Sequence, residues 1–456
     1  MTIEQLYEIY LRHPSIQTDT RLLRPGDLFF ALKGPNFNGN AFAARALELG
    51  AAYAILDETP ALAADQLILV PDVLDTLQQL ALHHRRKLDI PFIAITGSNG
   101  KTTTKELIHA VLSSTFTTYT TRGNLNNHIG IPLTLLAVRP DAQLAVIEMG
   151  ANHQKEIEGY CAYTLPTHGI ITNIGKAHLE GFGGIEGVRK GKGELYDFLR
   201  AHSGTAFVLT DSPDLMTMSR GIPQIITYGT QNANFTGIAE QHAAAGSERP
   251  AAAGRPTAPS TETFLHVDIT GGAATGTIKT QLVGDYNLPN VLVAVAVGKQ
   301  FGVPDDKIRE SIEAYTPSNS RSQLIEKDGN HIILDAYNAN PSSMRAAIEN
   351  FARLPITTPD HATAGASLDH KVLILGAMAE LGSESLAEHQ AIIDLIAQYS
   401  WQQVVLVGGD FRKLSHPYLS FANSKEAGHW LRGVGLKGSY LLIKGSRSIK
   451  MEEVLS

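Results

Sequence analysis

The stretch Thr96–Thr104, TGSNGKTTT, follows the apolar run IPFIAI at 90–95 and decides the fold of the chain. A buried strand that ends in a glycine turn and leads into a helix from Lys101 is the setting of a phosphate-binding loop. Backbone N–H groups at such a helix start bind phosphate oxygens, and the lysine reaches the terminal phosphates. The first glycine of the general GxxxxGK(S/T) pattern is absent, since Ile95 holds its place. The setting still predicts a nucleoside triphosphate site.

Composition restricts the classes of protein that this chain can be. Its 456 residues, 43% of them hydrophobic, are enough for about three domains with substantial cores. A formal net charge of -7 argues against nucleic acid as the main partner. The single cysteine, Cys161, excludes an intrachain disulfide framework and is expected to be a buried thiol. The acidic N-terminus and the absence of a long apolar run predict a cytoplasmic protein without membrane insertion.

The hydrophobic pattern divides the chain into three parts. Residues 1–88 predict a small α/β unit, whose last helix ends in a run of cations, HHRRK at 83–87, expected to face solvent. Apolar strands then alternate with helices over 89–316, as in a parallel sheet covered by helices, and again over 317–456. The Ala-, Gly- and Pro-rich segment at about 240–262 predicts a flexible surface insertion.

Ionisable residues follow two of the predicted strands. Glu148 lies at the end of the strand LAVIEM, where a carboxylate beside a phosphate loop would bind Mg²⁺, although a simple charge at a strand end would explain it equally well. His178 lies in a glycine-rich loop after GIITNI, and the helix that follows carries the basic run RKGK at 189–192. Taken alone, that run reads as a solvent-facing surface, and a zinc site lacks a third ligand at a standard spacing.

Asparagines cluster in two loops. The segment GNLNNHIGIP at 123–132 holds three of them, and LDAYNANPSS at 334–343 places two after Asp335, at a strand end. Side-chain amides offer donors and acceptors to a polar ligand, although Asx turns would explain the first loop equally well. A polar loop between strand and helix is a common ligand position in open α/β sheets.

Together these stretches resemble the Mur ligase family in eleven collinear blocks spread over nearly the whole chain. The blocks are TDTRLLRPGDLFFALKG, TGSNGKTTTKEL, GNLNNHIGIPLTLL, VIEMGANHQKEI, TNIGKAHLEGFGG, GKGELY, GDYNLPNVLVA, SRSQL, LDAYNANPSSM, GAMAELGSESLAEH and KGSRSIKMEEVL. The phosphate loop of that family reads GxxGK(S/T), so the glycine missing from the general pattern is not expected here.

The resemblance implies three domains: an N-terminal domain that binds the UDP end of the substrate (1–88), a central ATP-binding domain (89–316) and a C-terminal Rossmann-like domain (317–456). It also implies ATP, Mg²⁺ and the formation of an amide bond. Nothing in the sequence suggests an obligate partner, so we expect a monomer. Family members that add a diamino acid carry an Asp-Asn-Pro-Arg motif where this chain has NANPSSM. This difference points to the branch that adds D-alanyl-D-alanine to a UDP-N-acetylmuramoyl-tripeptide.

The resemblance also assigns roles to individual residues. Those expected to bind ATP are Gly97, Ser98, Asn99, Gly100, Lys101, Thr102, Thr103, Asn287, Arg321 and Asp335. The metal-site residues would be Thr102, Glu148, His178 and Lys192, the last as a carbamylated lysine, and the catalytic residues Lys101, Lys192 and His178. Substrate-binding residues would be Thr20 and Arg21 at the uridine nucleotide, with Asn126, Asn338 and Asn340 near the dipeptide.

Two other interpretations compete with this one. A different amide ligase of the same superfamily, for folate polyglutamylation or another muramoyl peptide, is disfavoured by the TDTR block and by NANPSSM. An ATP-dependent regulatory module would have no use for the set Glu148, His178 and Lys192. The segments at 240–262 and 354–370 read as additions to the family core.

Overall fold

The computed structural model describes residues 1–59, 64–240, 264–318, 320–354 and 370–456, which form three α/β domains, each built on its own main sheet. Apart from Glu240, Leu354 and His370, the predicted insertion at 240–262 and the loop at 354–370 lie outside the described residues. Within the described ranges, no helix combines the length and the apolarity needed to cross a bilayer.

The N-terminal domain is a four-stranded parallel sheet in the order β1-β2-β5-β6, with a small antiparallel ribbon, β3-β4, beside it. Its elements are α1 (Ile3–Arg12), β1 (Ile16–Gln17), β2 (Leu28–Phe30), β3 (Lys33–Gly34), β4 (Phe37–Asn38), α2 (Ala43–Glu48), β5 (Tyr53–Leu56), β6 (Leu67–Leu69) and α3 (Val73–Arg85).

The central domain has a nine-stranded sheet in the order β15-β14-β13-β12-β11-β10-β7-β9-β8, parallel except at β13-β14 and β14-β15. Its strands are β7 (Phe92–Thr96), β8 (Thr118–Thr120), β9 (Leu144–Glu148), β10 (His168–Ile171), β11 (Thr205–Leu209), β12 (Gln224–Gly229), β13 (Phe235–Ala239), β14 (His266–Gly271) and β15 (Thr277–Lys279). Its helices are α4 (Lys101–Ser113), α5 (Gly130–Ala137), α6 (Glu156–Thr164), α7 (Leu179–Phe182), α8 (Ile185–Ala201), α9 (Pro213–Met218), α10 (Leu288–Gln300) and α11 (Asp305–Ala314).

The order of the central strands creates a crevice. Strand β7 lies between β9 and β10 and is parallel to both; the chain continues from β7 to β8 and β9 on one side, and then crosses to β10 on the other side. Ligands bind at such switch points in open α/β sheets. Every residue of β7 and of β9 is buried, which fixes the loops that follow these strands.

The C-terminal domain has a six-stranded sheet in the order β16-β17-β21-β18-β19-β20, antiparallel only at β16-β17. Its elements are β16 (Gln323–Lys327), β17 (Asn330–Asp335), α12 (Pro341–Arg353), β18 (Lys371–Gly376), α13 (Ser385–Ile396), β19 (Gln403–Val407), β20 (Leu419–Phe421), α14 (Ser424–Val434) and β21 (Tyr440–Lys444). The amide side chain of Asn340 accepts a hydrogen bond from Ser343 N–H, and Pro341 occupies the first position of α12.

The expectation that the cations at 83–87 face solvent was wrong for two of them. Arg85 is buried and donates from Nε to the carbonyl of Thr164 (2.8 Å) and from Nη2 to that of Leu165 (3.0 Å). Buried His84 contacts the carbonyl of Val138 through Nε2 at 2.8 Å. Because α3 packs against α5 and α6, its last turn is covered by the central domain, and Arg85 satisfies carbonyls at the end of α6. These bonds join the N-terminal domain firmly to the central one.

Candidate active site

The loop between β7 and α4 has the geometry of a phosphate loop. The helix begins at Lys101, as the sequence predicts. Gly97 has a φ of 139°, and a Cβ at this position would lie 2.0 Å from Thr172 Oγ1, so a larger residue cannot fit. Asn99 N–H donates a hydrogen bond to Asn173 Oδ1 at 3.0 Å, which fixes the loop to the segment that follows the neighbouring strand β10.

The ammonium of Lys101 folds back over this loop. It donates to the carbonyl oxygens of Gly97 at 2.7 Å and of Ser98 at 3.3 Å. Burial lowers the pKa of Lys101, while the nearby Glu148 raises it and Arg321 lowers it further. The third domain thus contributes a cation to the electrostatics of the phosphate loop, because Arg321 belongs to the segment that leads into β16.

Glu148 ends β9 beside the phosphate loop, as predicted, and is almost fully buried, with 2% of its surface exposed. Thr102 Oγ1 lies 3.1 and 3.0 Å from its two carboxylate oxygens, and Asn126 Nδ2 donates to Oε1 at 2.8 Å. No described Lys, Arg or His lies within ion-pairing distance of this carboxylate. A buried carboxylate with only hydroxyl and amide donors fits a bound divalent cation, and Mg²⁺ typically takes one or two carboxylates besides phosphate and water.

Lys192 is buried in α8, contrary to the solvent-facing reading of the basic run. Only 1% of its surface is exposed; its Nζ donates to the carbonyl of Ala151 at 3.0 Å and lies 4.9 Å from the centre of the Phe182 ring. Burial lowers the pKa of Lys192 well below its usual value, and Lys101 lowers it further, while Glu156 and Glu194 oppose the shift. Burial and the charge of Lys101 both shift this amine towards its neutral form.

Among the predicted metal-site residues, His178 makes its contact with the C-terminal domain. It precedes α7 with a left-handed φ of 53°, and its Nδ1 contacts a carboxylate oxygen of Glu380 in the C-terminal domain. Across the part of the chain that the structure describes, no three His, Cys, Asp or Glu side chains converge on a common point as metal ligands. The structure brings Thr102 and Glu148 into contact, whereas His178 is engaged across the domain boundary.

The C-terminal domain forms the opposite wall. Asp335, at the carboxyl end of β17, accepts from Lys444 Nζ at 2.5 Å, and the guanidinium of Arg321 lies 3.7 Å from the centre of the Tyr337 ring. Asn340 Nδ2 donates to Asn99 Oδ1 at 2.7 Å, so the start of α12 contacts the phosphate loop directly.

Asn287 and Asn338 use their amides locally. Asn287 donates to the carbonyl of Val283 at 2.9 Å and accepts from Asn290 at 2.9 Å, and it is buried at the start of α10. Asn338 Oδ1 accepts from Ala339 N–H at 2.9 Å.

A cavity of about 860 Å³ lies between the two walls. The predicted residues that line it are Ser98, Asn99, Gly100, Lys101, Thr102, Thr103, Asn126, Glu148, His178, Asn287, Arg321, Asp335, Asn338 and Asn340. Gly97 and Lys192 do not belong to this lining, although Lys192 donates to the carbonyl of Ala151, which does.

Thr20 and Arg21 lie elsewhere, in the loop after β1 of the N-terminal domain. Arg21 is highly exposed and pairs with Asp19 at 2.6 Å. The guanidinium of Arg21 lowers the pKa of the Asp19 carboxyl to about 2. Neither predicted residue lines the central cavity, so the structure places the two proposed halves of the substrate site in different domains.

Several lining residues were missed from sequence. Lys444 ends β21, whose five residues are all buried, and a lysine at the end of a fully apolar strand is a signal that could have been used. Tyr337, Glu380 and Arg447 also line the cavity, and each belongs to a block quoted above for the family resemblance.

A phosphate loop that faces a Rossmann-like domain across a polar cleft defines an ATP-using enzyme built from separate domains. Comparisons with known proteins narrow this class. The signature of the Mur ligase family catalytic domain matches residues 14–85, that of the Mur ligase middle domain residues 95–298, and that of the Mur ligase glutamate ligase domain residues 320–447.

Whole proteins match over almost their full length. The UDP-N-acetylmuramoyl-tripeptide–D-alanyl-D-alanine ligase of Bacillus subtilis is 32% identical over 98% of this chain and 93% of its own. A crystal structure of MurF from Acinetobacter baumannii aligns with a TM-score of 0.82 at 29% identity, covering 100% of this chain and 97% of that one. MurF of Thermotoga maritima in complex with ADP also aligns with a TM-score of 0.82, at 24% identity, over 98% and 97% of the two chains. The chain belongs to the Mur ligase family, and it is an ATP-dependent ligase.

Proposed function

We propose that this enzyme joins D-alanyl-D-alanine to a UDP-N-acetylmuramoyl-tripeptide and thereby makes the pentapeptide precursor of peptidoglycan. The reaction is the one named for the Bacillus subtilis relative, which matches 98% of this chain. The observation that carries the proposal is the cleft in which the phosphate loop faces the NANPSS segment at 338–343.

The chemistry takes place in two steps. A carboxylate oxygen of the tripeptide attacks the γ-phosphorus of ATP, the bond to ADP breaks, and an acyl phosphate forms. The amine of D-alanyl-D-alanine then attacks the acyl carbon, phosphate leaves with the electron pair of the C–O bond, and the nitrogen loses a proton. Catalysis rests on positioning and on neutralising phosphate charge, for which Lys101 is placed at the loop.

ATP would span both walls of the cleft. The loop residues 97–103 would bind its phosphates, Asn287 the adenine, and Arg321 with Asp335 the phosphates and ribose from the C-terminal side. Closure of this domain would also keep water away from the acyl phosphate.

The buried carboxylate of Glu148, which has hydroxyl and amide donors, suits Mg²⁺ as a bound cation. Thr102 and Glu148 would hold the ion, which when bound supplies charge neutralisation for the transferring phosphoryl group. His178 would support the site from its position at the domain boundary, where it contacts Glu380.

Lys192 would act as a carbamylated lysine. Its burial, its single hydrogen bond to a carbonyl and its nearness to Lys101 leave a nucleophilic amine in a site that needs anionic ligands. Reaction with CO₂ would form an N–C bond, release a proton and convert the side chain into an anion that supports a second Mg²⁺.

The substrate would run from the N-terminal domain into the cleft. Thr20 and Arg21 would bind the uridine nucleotide, and Asn126, Asn338 and Asn340 would lie near the dipeptide. We place the domain boundaries after residues 88 and 316, and we propose a monomer that acts in the cytoplasm.

The test follows phosphate release and product mass together. Purified enzyme with ATP and Mg²⁺ is given UDP-N-acetylmuramoyl-tripeptide, with diaminopimelate or lysine as third residue, with and without D-alanyl-D-alanine. We expect phosphate release that requires both substrates and equals the pentapeptide formed. Release that ignores the muramoyl peptide, or product formed only with a single amino acid, would overturn the proposal.

A further inference from the structure

One short segment of the central domain contacts both the phosphate loop and the C-terminal domain. This segment, Asn173–Lys176, follows β10 and is here called the strap. On the phosphate-loop side, Ser98 N–H donates to the carbonyl of Asn173 at 3.0 Å, and Ser98 Oγ donates to the carbonyl of Gly175 at 2.9 Å. Asn99 N–H donates to Asn173 Oδ1 at 3.0 Å. The strap therefore fixes two consecutive peptide groups of the loop.

On the other side, the strap is bonded to two helices of the C-terminal domain. Lys176 N–H donates to Ser342 Oγ, in the first turn of α12, at 3.0 Å. Lys176 Nζ donates to Glu388 Oε1, in the first turn of α13, at 2.5 Å. A Cβ on Gly175 would lie only 2.9 Å from Ser342 Oγ, so the glycine allows the two domains to approach this closely.

The two partners of the Lys176–Glu388 ion pair differ in their exposure to solvent. Only 11% of the Glu388 side chain is exposed, against 52% for Lys176, so the carboxylate is largely withdrawn from water while the lysine stem can move. An ion pair between two domains can bias one arrangement of those domains over another, because it forms only when they are docked. Because Lys176 belongs to the central domain and Glu388 to the C-terminal domain, this ion pair favours the docked arrangement.

We propose that Lys176 is a positioning residue that couples docking of the C-terminal domain to the shape of the phosphate loop. With Glu388 and Ser342 engaged, the strap is held at Lys176, and its bonds to Ser98 and Asn99 hold the loop N–H groups ready for phosphate. When the C-terminal domain moves away, both anchors are lost and the loop loses this support. The inference rests on ATP-dependent ligation but adds a residue that neither binds ATP nor touches the reacting atoms.

A charge-exchange series tests this coupling. The variants are Lys176→Glu, Glu388→Lys and the double exchange Lys176→Glu/Glu388→Lys, with Arg45→Glu/Glu48→Arg as matched control, since that exposed ion pair lies on α2. Each single variant should raise KM for MgATP and lower kcat/KM about tenfold, and the double exchange should recover to within about threefold of wild type. The control should match wild type, and the thermal midpoints of the control and of the double exchange should agree with that of wild type.

A second readout measures docking itself. Small-angle scattering with a non-hydrolysable ATP analogue should show a more extended particle for each single variant and a wild-type profile for the double exchange. Single variants with wild-type KM and scattering, or a double exchange as impaired as both singles, would overturn the proposal. If pentapeptide formation were absent in all variants, wild type included, while scattering still followed the charge pattern, the coupling would stand and the assigned reaction would fail.

Discussion

Thr102 Oγ1 contacts both carboxylate oxygens of Glu148, at 3.1 and 3.0 Å, across the gap between the phosphate-loop helix and the neighbouring strand. A threonine hydroxyl carries one proton, so this contact satisfies only part of a buried carboxylate. Asn126 Nδ2 adds one hydrogen bond at 2.8 Å, and no described cation pairs with the buried charge, which suits a bound divalent cation.

The variant Glu148→Gln should therefore bind Mg²⁺ more weakly and lose activity. The amide keeps the size of the side chain but removes its charge, so we expect kcat to fall by about 10²–10³ and the Mg²⁺ concentration for half activity to rise. Initial rates measured over a Mg²⁺ series give both quantities.

Thr102 offers a matched pair of controls for this prediction. The variant Thr102→Ser keeps the hydroxyl and should stay within about threefold of wild type, whereas Thr102→Val should lose about 10-fold or more. A wild-type Mg²⁺ dependence in Glu148→Gln would show that this carboxylate does not hold the ion.

Lys192 should be required as an anion rather than as a cation. The variants Lys192→Ala and Lys192→Met should both lose ligation by about 10³-fold, because neither can form a carbamate. Formate or acetate should partly restore Lys192→Ala, which leaves space for a small carboxylate, and should not restore Lys192→Met. The exposed neighbour Lys190→Ala serves as control and should retain activity. Full activity in Lys192→Ala without added acid would remove Lys192 from the site.

The burial of Lys192 could not be predicted from the sequence pattern, whereas the local structure of the phosphate loop could. The strand, the turn and the helix start at Lys101 follow from local pattern, as does the position of Glu148 at a strand end, because each depends on neighbours in the chain. The basic run at 189–192 has the composition of a solvated surface, and its fourth residue is buried only because α8 packs on α6 and α7. Local periodicity does not encode that packing.

The wall formed by the C-terminal domain was harder still to predict. The Asn340–Asn99 contact joins positions 241 residues apart, and the His178–Glu380 contact positions 202 apart. Pattern at a strand end identified Asp335, but its partner Lys444 comes from β21, the adjacent strand of the same sheet. Only the tertiary arrangement shows which strand-end charges meet.

Arg85 should contribute to stability and not to chemistry. In Arg85→Met, carbonyls at the end of α6 lose their donor, so we expect unfolding to become easier by about 2–4 kcal/mol. The KM for MgATP should remain within about twofold, since Arg85 is absent from the cavity lining. Urea denaturation gives the stability, and the exposed Arg86→Met is the control. Equal stability of the two variants would contradict the role assigned to the buried bonds.

His168 should make the central domain less stable in mild acid. It lies at the start of β10 against the rings of Phe207 and Phe301, and burial lowers its pKa to about 4. An unfolded histidine has a pKa near 6.5, so between these values the unfolded chain binds a proton that the folded chain does not. Stability is therefore lost as the pH falls from about 6.5 towards 4.

The comparison of wild type with His168→Gln isolates this effect from other titrating groups. At pH 7, His168 is mostly neutral in both the folded and the unfolded chain. At pH 5, the free energy of unfolding of the wild type should fall by about 1–2 kcal/mol relative to that of the variant. Urea unfolding followed by circular dichroism at the two pH values measures the difference, and exposed His202→Gln provides the reference. If the free energies of unfolding of wild type and His168→Gln differ by the same amount at pH 7 and at pH 5, then folding does not lower the pKa of His168.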